Sequence, residues 1–100
     1  MTHQKTKCNC CECVWARILL HAKKQITLLT KRGKKLTYKI DNDYVVWIPL
    51  GPHQNVLYNQ SKKQICASIN ARSLNYSPSQ YPGTATSYKW ALLNHESIWI

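Results

Sequence analysis

Seven cationic side chains stand between positions 23 and 39, and no carboxylate stands among them. They are Lys23, Lys24, Lys31, Arg32, Lys34, Lys35 and Lys39. Such a row can neutralise successive phosphates of a nucleic acid and release their condensed counterions. Lys62, Lys63, Arg72 and Lys89 add cations further along the chain and complete the candidate phosphate-binding set. Lysines of this kind position a protein on a backbone without reading bases, so the pattern predicts affinity and not sequence choice. The plainer alternative is a solvated sheet face whose lysines discourage edge-to-edge pairing. Density without compensating acids favours the phosphate reading.

The second constellation is Cys8-Asn9-Cys10-Cys11-Glu12-Cys13, with four thiols in six residues. Thiolates hold zinc and other thiophilic metals, but structural zinc sites usually join two separated cysteine pairs. No second pair follows here, and Cys66 stands alone. If a helix begins at Cys10, Cys10 and Cys13 share one face while Cys11 points elsewhere. Zinc held by Cys8, Cys10, Cys11 and Cys13 is one expectation, with His3, His21 or a second chain completing the shell. An exposed, oxidation-prone cysteine tail is the other.

Catalysis finds little material. The chain has only four acids (Glu12, Asp41, Asp43, Glu96), too few for the carboxylate cluster of a metal-dependent nuclease. Neither a glycine-rich phosphate loop nor a nucleophile elbow is present. His21-Ala22-Lys23 resembles the start of a phospholipase-D-type motif, but the downstream Asp which that motif requires is missing. A metal-free ribonuclease remains conceivable, with two of His21, His53 and His95 as acid and base beside a lysine. No catalytic residue is assigned.

The whole composition fits a binding module. One hundred residues make one domain, and 44% apolar content is enough for a core. Four Trp and six Tyr supply all aromatic surface, since Phe is absent. A formal net charge of +10 repels itself in so small a body and calls for an anionic partner. Nucleic acid comes first, and an acidic protein or a larger nucleoprotein complex next. No apolar run approaches the ~18 residues of a membrane span, and Met1 to Lys7 leads into no secretory h-region. A cytoplasmic, reducing compartment is therefore expected, and five cysteines cannot complete a disulfide framework.

The elements that must position these groups read as an α+β domain over 10–100, behind a flexible basic and cysteine-rich arm at 1–9. Asn9 and Glu12 have capping-box spacing, predicting a helix over about 10–24 with Val14, Ile18 and Ala22 on its apolar side. Ile26–Thr30, Lys35–Ile40 and Tyr44–Ile48 read as a three-stranded antiparallel meander. Leu36, Tyr38 and Ile40 fall on one face of the middle run, and Lys35, Thr37 and Lys39 on the other. Lys31-Arg32-Gly33-Lys34 and Asp41-Asn42-Asp43 are its turns. Val56–Tyr58 is a short strand candidate. Ser61 with Gln64 caps a helix reaching about Arg72, and Ser77-Pro78 starts one helical turn. A last helix, Ser87–Leu93, should turn Trp90 and Leu93 inward, and Ser97–Ile100 could close the sheet as an edge strand.

The two C-terminal helices with flanking strands resemble a helix-turn-helix or winged-helix arrangement. Their gap of about a dozen residues departs from the 3–4-residue turn of that motif. The function expected is a non-enzymatic nucleic-acid-binding module docking through the basic hairpin. It would serve as a regulator, a mobile-element or phage accessory factor, or a nucleoprotein subunit. An adaptor for an acidic protein and a toxin-like ribonuclease are the alternatives.

Overall fold

The computed structural model describes residues 8–51 and 59–100. Helix α1 spans Cys11–Ala22 and precedes four strands: β1 Leu28–Leu29, β2 Lys35–Asp41, β3 Tyr44–Pro49 and β4 Asn59–Ser61. Two short helices follow, α2 Lys62–Cys66 and α3 Ile69–Ser73, then a 3-10 turn at Pro78–Gln80 and α4 Thr86–Leu93. The strands form one antiparallel sheet in the order β1-β2-β3-β4. The fold is α+β, and the expected meander acquires a fourth strand at Asn59–Ser61. Val56–Tyr58, the segment read as that strand, lies outside the described residues.

Alternation in β2 sets the sheet's two faces. Leu36 and Tyr38 are buried while Lys35 and Lys39 are exposed, and β3 repeats the pattern with Val45 and Trp47 inward. Val14, Trp15 and Ile18 of α1 and Leu92 and Leu93 of α4 cover this inner face, joined by Ile65 and Ile98. The Tyr38 hydroxyl donates to the Ile18 carbonyl at 2.6 Å, so the strand is fastened to α1 as well as packed against it. Burial pushes the Tyr38 phenol well above its ordinary range, which keeps that donor protonated.

Both sheet turns follow from their residues. Asn42 and Asp43 take positive φ values of 49° and 64° between the paired Asp41 and Tyr44. That is a two-residue hairpin turn of the kind Asn and Asp tolerate. At the other end, Gly33 has φ 90° and donates its N–H to the Thr30 carbonyl. The Lys34 N–H bonds the Thr30 hydroxyl. These bonds confine β1 to Leu28–Leu29, shorter than the expected Ile26–Thr30, because Thr30 belongs to the turn and the Ile26 carbonyl accepts from the Thr37 hydroxyl.

Three expectations give way. The Asn9–Glu12 capping box does not form: Cys10 is the N-cap, and the Asn9 side chain instead bridges Arg17 and Ile100. The single helix from Ser61 is two. Its start is as read, with the reciprocal Ser61–Gln64 box present. Buried Ser68, whose hydroxyl turns back to the Gln64 carbonyl, separates α2 from α3, as back-bonded serines bend helices. Ser97–Ile100 is not an edge strand. Its N–H groups at Ile98 and Trp99 bond the His95 carbonyl, and Ile100 is held by Asn9. No winged-helix arrangement is confirmed.

Arg17 was unremarked in the sequence and ties both chain ends to α1. Its guanidinium donates to the Cys8 and Ile98 carbonyls and to the Asn9 side chain. Cys8 and Asn9 therefore belong to the fold and not to an arm, while residues 1–7 lie outside the described residues.

Candidate nucleic-acid interface

The Lys31–Lys34 turn projects from the end of β2 that carries Lys35, and Lys31, Arg32 and Lys34 are all exposed. Lys35 and Lys39 share the outer face of the sheet with Thr37 between them, paired across to Leu29, Val46 and Ile48. Four cations thus stand on the β1–β2 hairpin and its turn, and Lys39 stands further along β2. Lys23 and Lys24 are exposed just after α1. Lys62 and Lys63 are exposed at the start of α2, where the Lys62 N–H meets the Asp43 carbonyl. Those two therefore sit at the opposite end of the sheet from the Lys31–Lys34 turn.

The remaining two candidates serve the fold. Arg72 donates from Nε to the Leu93 carbonyl at 3.0 Å and from Nη1 to Asn75, and its guanidinium lies 4.8 Å from the Trp99 ring centroid. It caps the end of α4. Lys89 is 1% exposed, buried on α4 with its Nζ donating to the Pro82 carbonyl. Its place among the phosphate ligands is corrected: a buried ammonium cannot reach a polyanion. The error was one of helical phase. Eight residues fix the apolar face poorly, and α4 buries Lys89, Ala91, Leu92 and Leu93 where Trp90 was expected to lead.

Burial holds the Lys89 ammonium below the ordinary lysine range. Because its folded pKa is depressed, the burial penalty is full below that pKa and fades as pH climbs toward 10.5, where the unfolded chain also loses its proton. Pro82 is exposed, and Lys89→Met removes the buried charge together with its bond to the Pro82 carbonyl. The variant should gain on the order of 1 kcal/mol or more at pH 7. Thermal melts at pH 7 and pH 10 check this: the gain shrinks at the higher pH, and nucleic-acid affinity stays unchanged.

Beside the hairpin turn lies a groove of about 880 Å³. Lys31, Arg32 and Lys34 line it from one side, and the start of α4 lines it from the other, with Asn59 and Gln60 of β4 between. Tyr88 reaches both this groove and the core, its ring 5.8 Å from that of Trp47. Of the other tyrosines in the C-terminal half, Tyr76 is exposed and Tyr81 is buried. Sequence reading missed the groove, whose walls come from segments some thirty residues apart on either side of β4.

The cysteine cluster divides. Cys11 is bonded to Cys66 in a disulfide that ties α1 to α2, so Cys11 leaves the candidate metal set and Cys66 does not stand alone. Cys8, Cys10 and Cys13 bring their sulfurs within 4.8 Å of one another. The helix turn that separates Cys11 from its neighbours does this, as the one-face argument predicts. The Cys13 N–H at the start of α1, followed by the Cys8 side chain, lowers the Cys10 thiol to about 7. Burial pushes Cys13 up to about 12, and its neighbouring cysteines add to the rise.

Of the histidines, His53 lies outside the described residues. His21 and His95 come within electrostatic reach of each other, near Lys24. Burial first, then Lys24 and His95, lowers the His21 imidazole from its ordinary value, and its Nδ1 is buried without a partner. His95 Nδ1 accepts from the Ser97 N–H at 3.0 Å. Neither imidazole lines the groove. Among the described residues no helix is long and apolar enough to cross a membrane. Compared with known proteins, the chain matches no family model, no curated protein and no solved structure.

Proposed function

We propose that this domain binds nucleic acid without catalysing a reaction on it, docking through the β1–β2 hairpin. The observation that carries the reading is the exposure of Lys31, Arg32, Lys34 and Lys35 on the β1–β2 hairpin, with Lys39 exposed further along β2. Because β2 is also paired to β3, these cations meet a phosphate backbone from the projecting turn and the outer sheet face and not as a free ribbon. Lysine contacts to phosphate give affinity without base choice, so the role is that of a regulator's docking module, an accessory factor or a nucleoprotein subunit. The test is binding to DNA and to RNA across a salt series. Five phosphate contacts give a slope of log affinity against log salt of about −4 to −5. A flat salt response overturns the reading in favour of an adaptor for an acidic protein.

A second reading rests on the three clustered thiols: Cys8, Cys10 and Cys13 hold one zinc ion, in a structural and not a catalytic role. Zinc–sulfur bonds of about 2.3 Å put tetrahedral sulfurs about 3.8 Å apart, within a small adjustment of the observed cluster. Such a metal would staple the start of α1 to the segment that Arg17 already anchors. Protein purified under reducing conditions should carry about one equivalent of zinc. Cobalt substitution should give a thiolate charge-transfer band that Cys13→Ser weakens. Metal content near zero, with no band on cobalt titration, ends this reading.

A further inference from the structure

The groove beside the hairpin combines features that neither the hairpin cations nor the fold explain. Three cations, Lys31, Arg32 and Lys34, line one wall, and none of the fourteen lining residues is acidic. The opposite wall is the start of α4. Its N-cap, Ala85, is left-handed with φ 52° and offers no side-chain cap, so the helix's positive end and first N–H groups are left to the groove.

Gln60 is the independent sign of a ligand. This β4 residue is 3% exposed yet lines the groove. Its Nε2 donates to the Thr84 hydroxyl at 3.0 Å, which turns the Thr84 proton elsewhere, and its Oε1 is buried with no donor. A buried carbonyl without a donor is destabilising by about 1–3 kcal/mol, so it is retained where something else supplies the proton. The walls ask for an anion, while Gln60 asks for a hydroxyl or amine. A fully ionised oxyanion such as sulfate satisfies only the first demand.

We infer that this groove seats one nucleotide unit, its phosphate between the Lys31–Lys34 turn and the start of α4 and its sugar or base donor at Gln60. The volume of about 880 Å³ lies within the range that encloses a ligand of that size. The inference rests on the nucleic-acid reading for the ligand's identity, and it adds a discrete site to a surface that otherwise reads only charge. The ligand chemistry is a phosphate ester with a nearby hydrogen-bond donor, carried either by a strand or by a free mononucleotide.

The experiment titrates the full chain with inorganic sulfate, a nucleoside 5′-monophosphate, the matching nucleoside and a short oligonucleotide. The monophosphate should bind more tightly than either sulfate or nucleoside alone. Gln60→Met should weaken the monophosphate by roughly 5- to 30-fold while leaving sulfate unchanged, since fully ionised sulfate brings no donor. Arg32→Gln, at an exposed position, should weaken sulfate, the monophosphate and the oligonucleotide alike. Lys35→Glu with Lys39→Glu, on the outer face, should weaken the oligonucleotide and spare the monophosphate. An oligonucleotide that binds while the monophosphate does not, or that competes with it nowhere, overturns the groove and leaves the hairpin standing. A monophosphate that binds without any oligonucleotide affinity supports the groove as a free-nucleotide site and overturns the hairpin reading.

Discussion

Glutamate at Lys34, Lys35 and Lys39 together should reduce nucleic-acid affinity more than a hundredfold at physiological salt, and should leave the domain folded. The three reversals lower the formal net charge from +10 to +4. Near 0.15 M salt, each phosphate contact contributes roughly 1 kcal/mol through counterion release, so losing three of five accounts for the hundredfold before any repulsion. The salt slope should fall from about −4.5 to about −2, and this second readout distinguishes lost contacts from a misfolded protein. All three side chains are exposed, and the cross-strand partners of Lys35 and Lys39 are Leu29 and Val46, so no ion pair across the strands is broken. The melting temperature should move by no more than a few degrees. Unchanged affinity would remove the hairpin from the binding surface. It would return Lys35 and Lys39 to the plainer task of keeping an exposed sheet face from pairing with its neighbours.

The sequence made the hairpin legible because its signals are local. Alternation fixes the faces of Lys35–Ile40 within six residues, Gly33 fixes one turn, and Asn42-Asp43 fixes the other. The Ser61–Gln64 box and the turn that Ser77-Pro78 starts are equally local, and both formed. What sequence could not supply was anything set by packing between distant segments. Lys89 and Arg72 look like their solvated neighbours until α4 docks and the last turn folds beneath them. Asn9 has the right spacing to cap α1, but the chain's far end competes for it, and Arg17 settles the competition. The groove assembles from Lys31–Lys34, Gln60 and Thr84–Tyr88, and no spacing rule connects those three segments. The cysteines show both cases at once. Helical geometry correctly set Cys11 apart from Cys10 and Cys13, while its partner Cys66 sits 55 residues away, beyond any local pattern.

That long-range bond should have the largest effect on stability of any single feature. The Cys11–Cys66 disulfide closes a loop that contains the remainder of α1 and all four strands. Cross-linking residues separated by 55 positions removes chain entropy from the unfolded state worth about 4 kcal/mol. In a domain of 100 residues each kcal/mol moves the melting temperature by about 4–8 °C, so loss of the bond should lower it by about 15–30 °C. Replacing both cysteines, Cys11→Ala with Cys66→Ala, is the cleaner variant, because one remaining thiol would lie next to Cys10. With its thiol at about 7, Cys10 is largely thiolate at slightly alkaline pH and competent to attack a neighbouring disulfide. Reductant should lower the melting temperature of the parent protein to that of the double variant and leave the double variant unmoved. The expectation of a reducing compartment meets this bond directly, since such compartments keep thiols reduced and the domain there would work with the smaller margin. A parent protein whose melting temperature ignores reductant would show the pair unbonded and the loop-closure contribution absent.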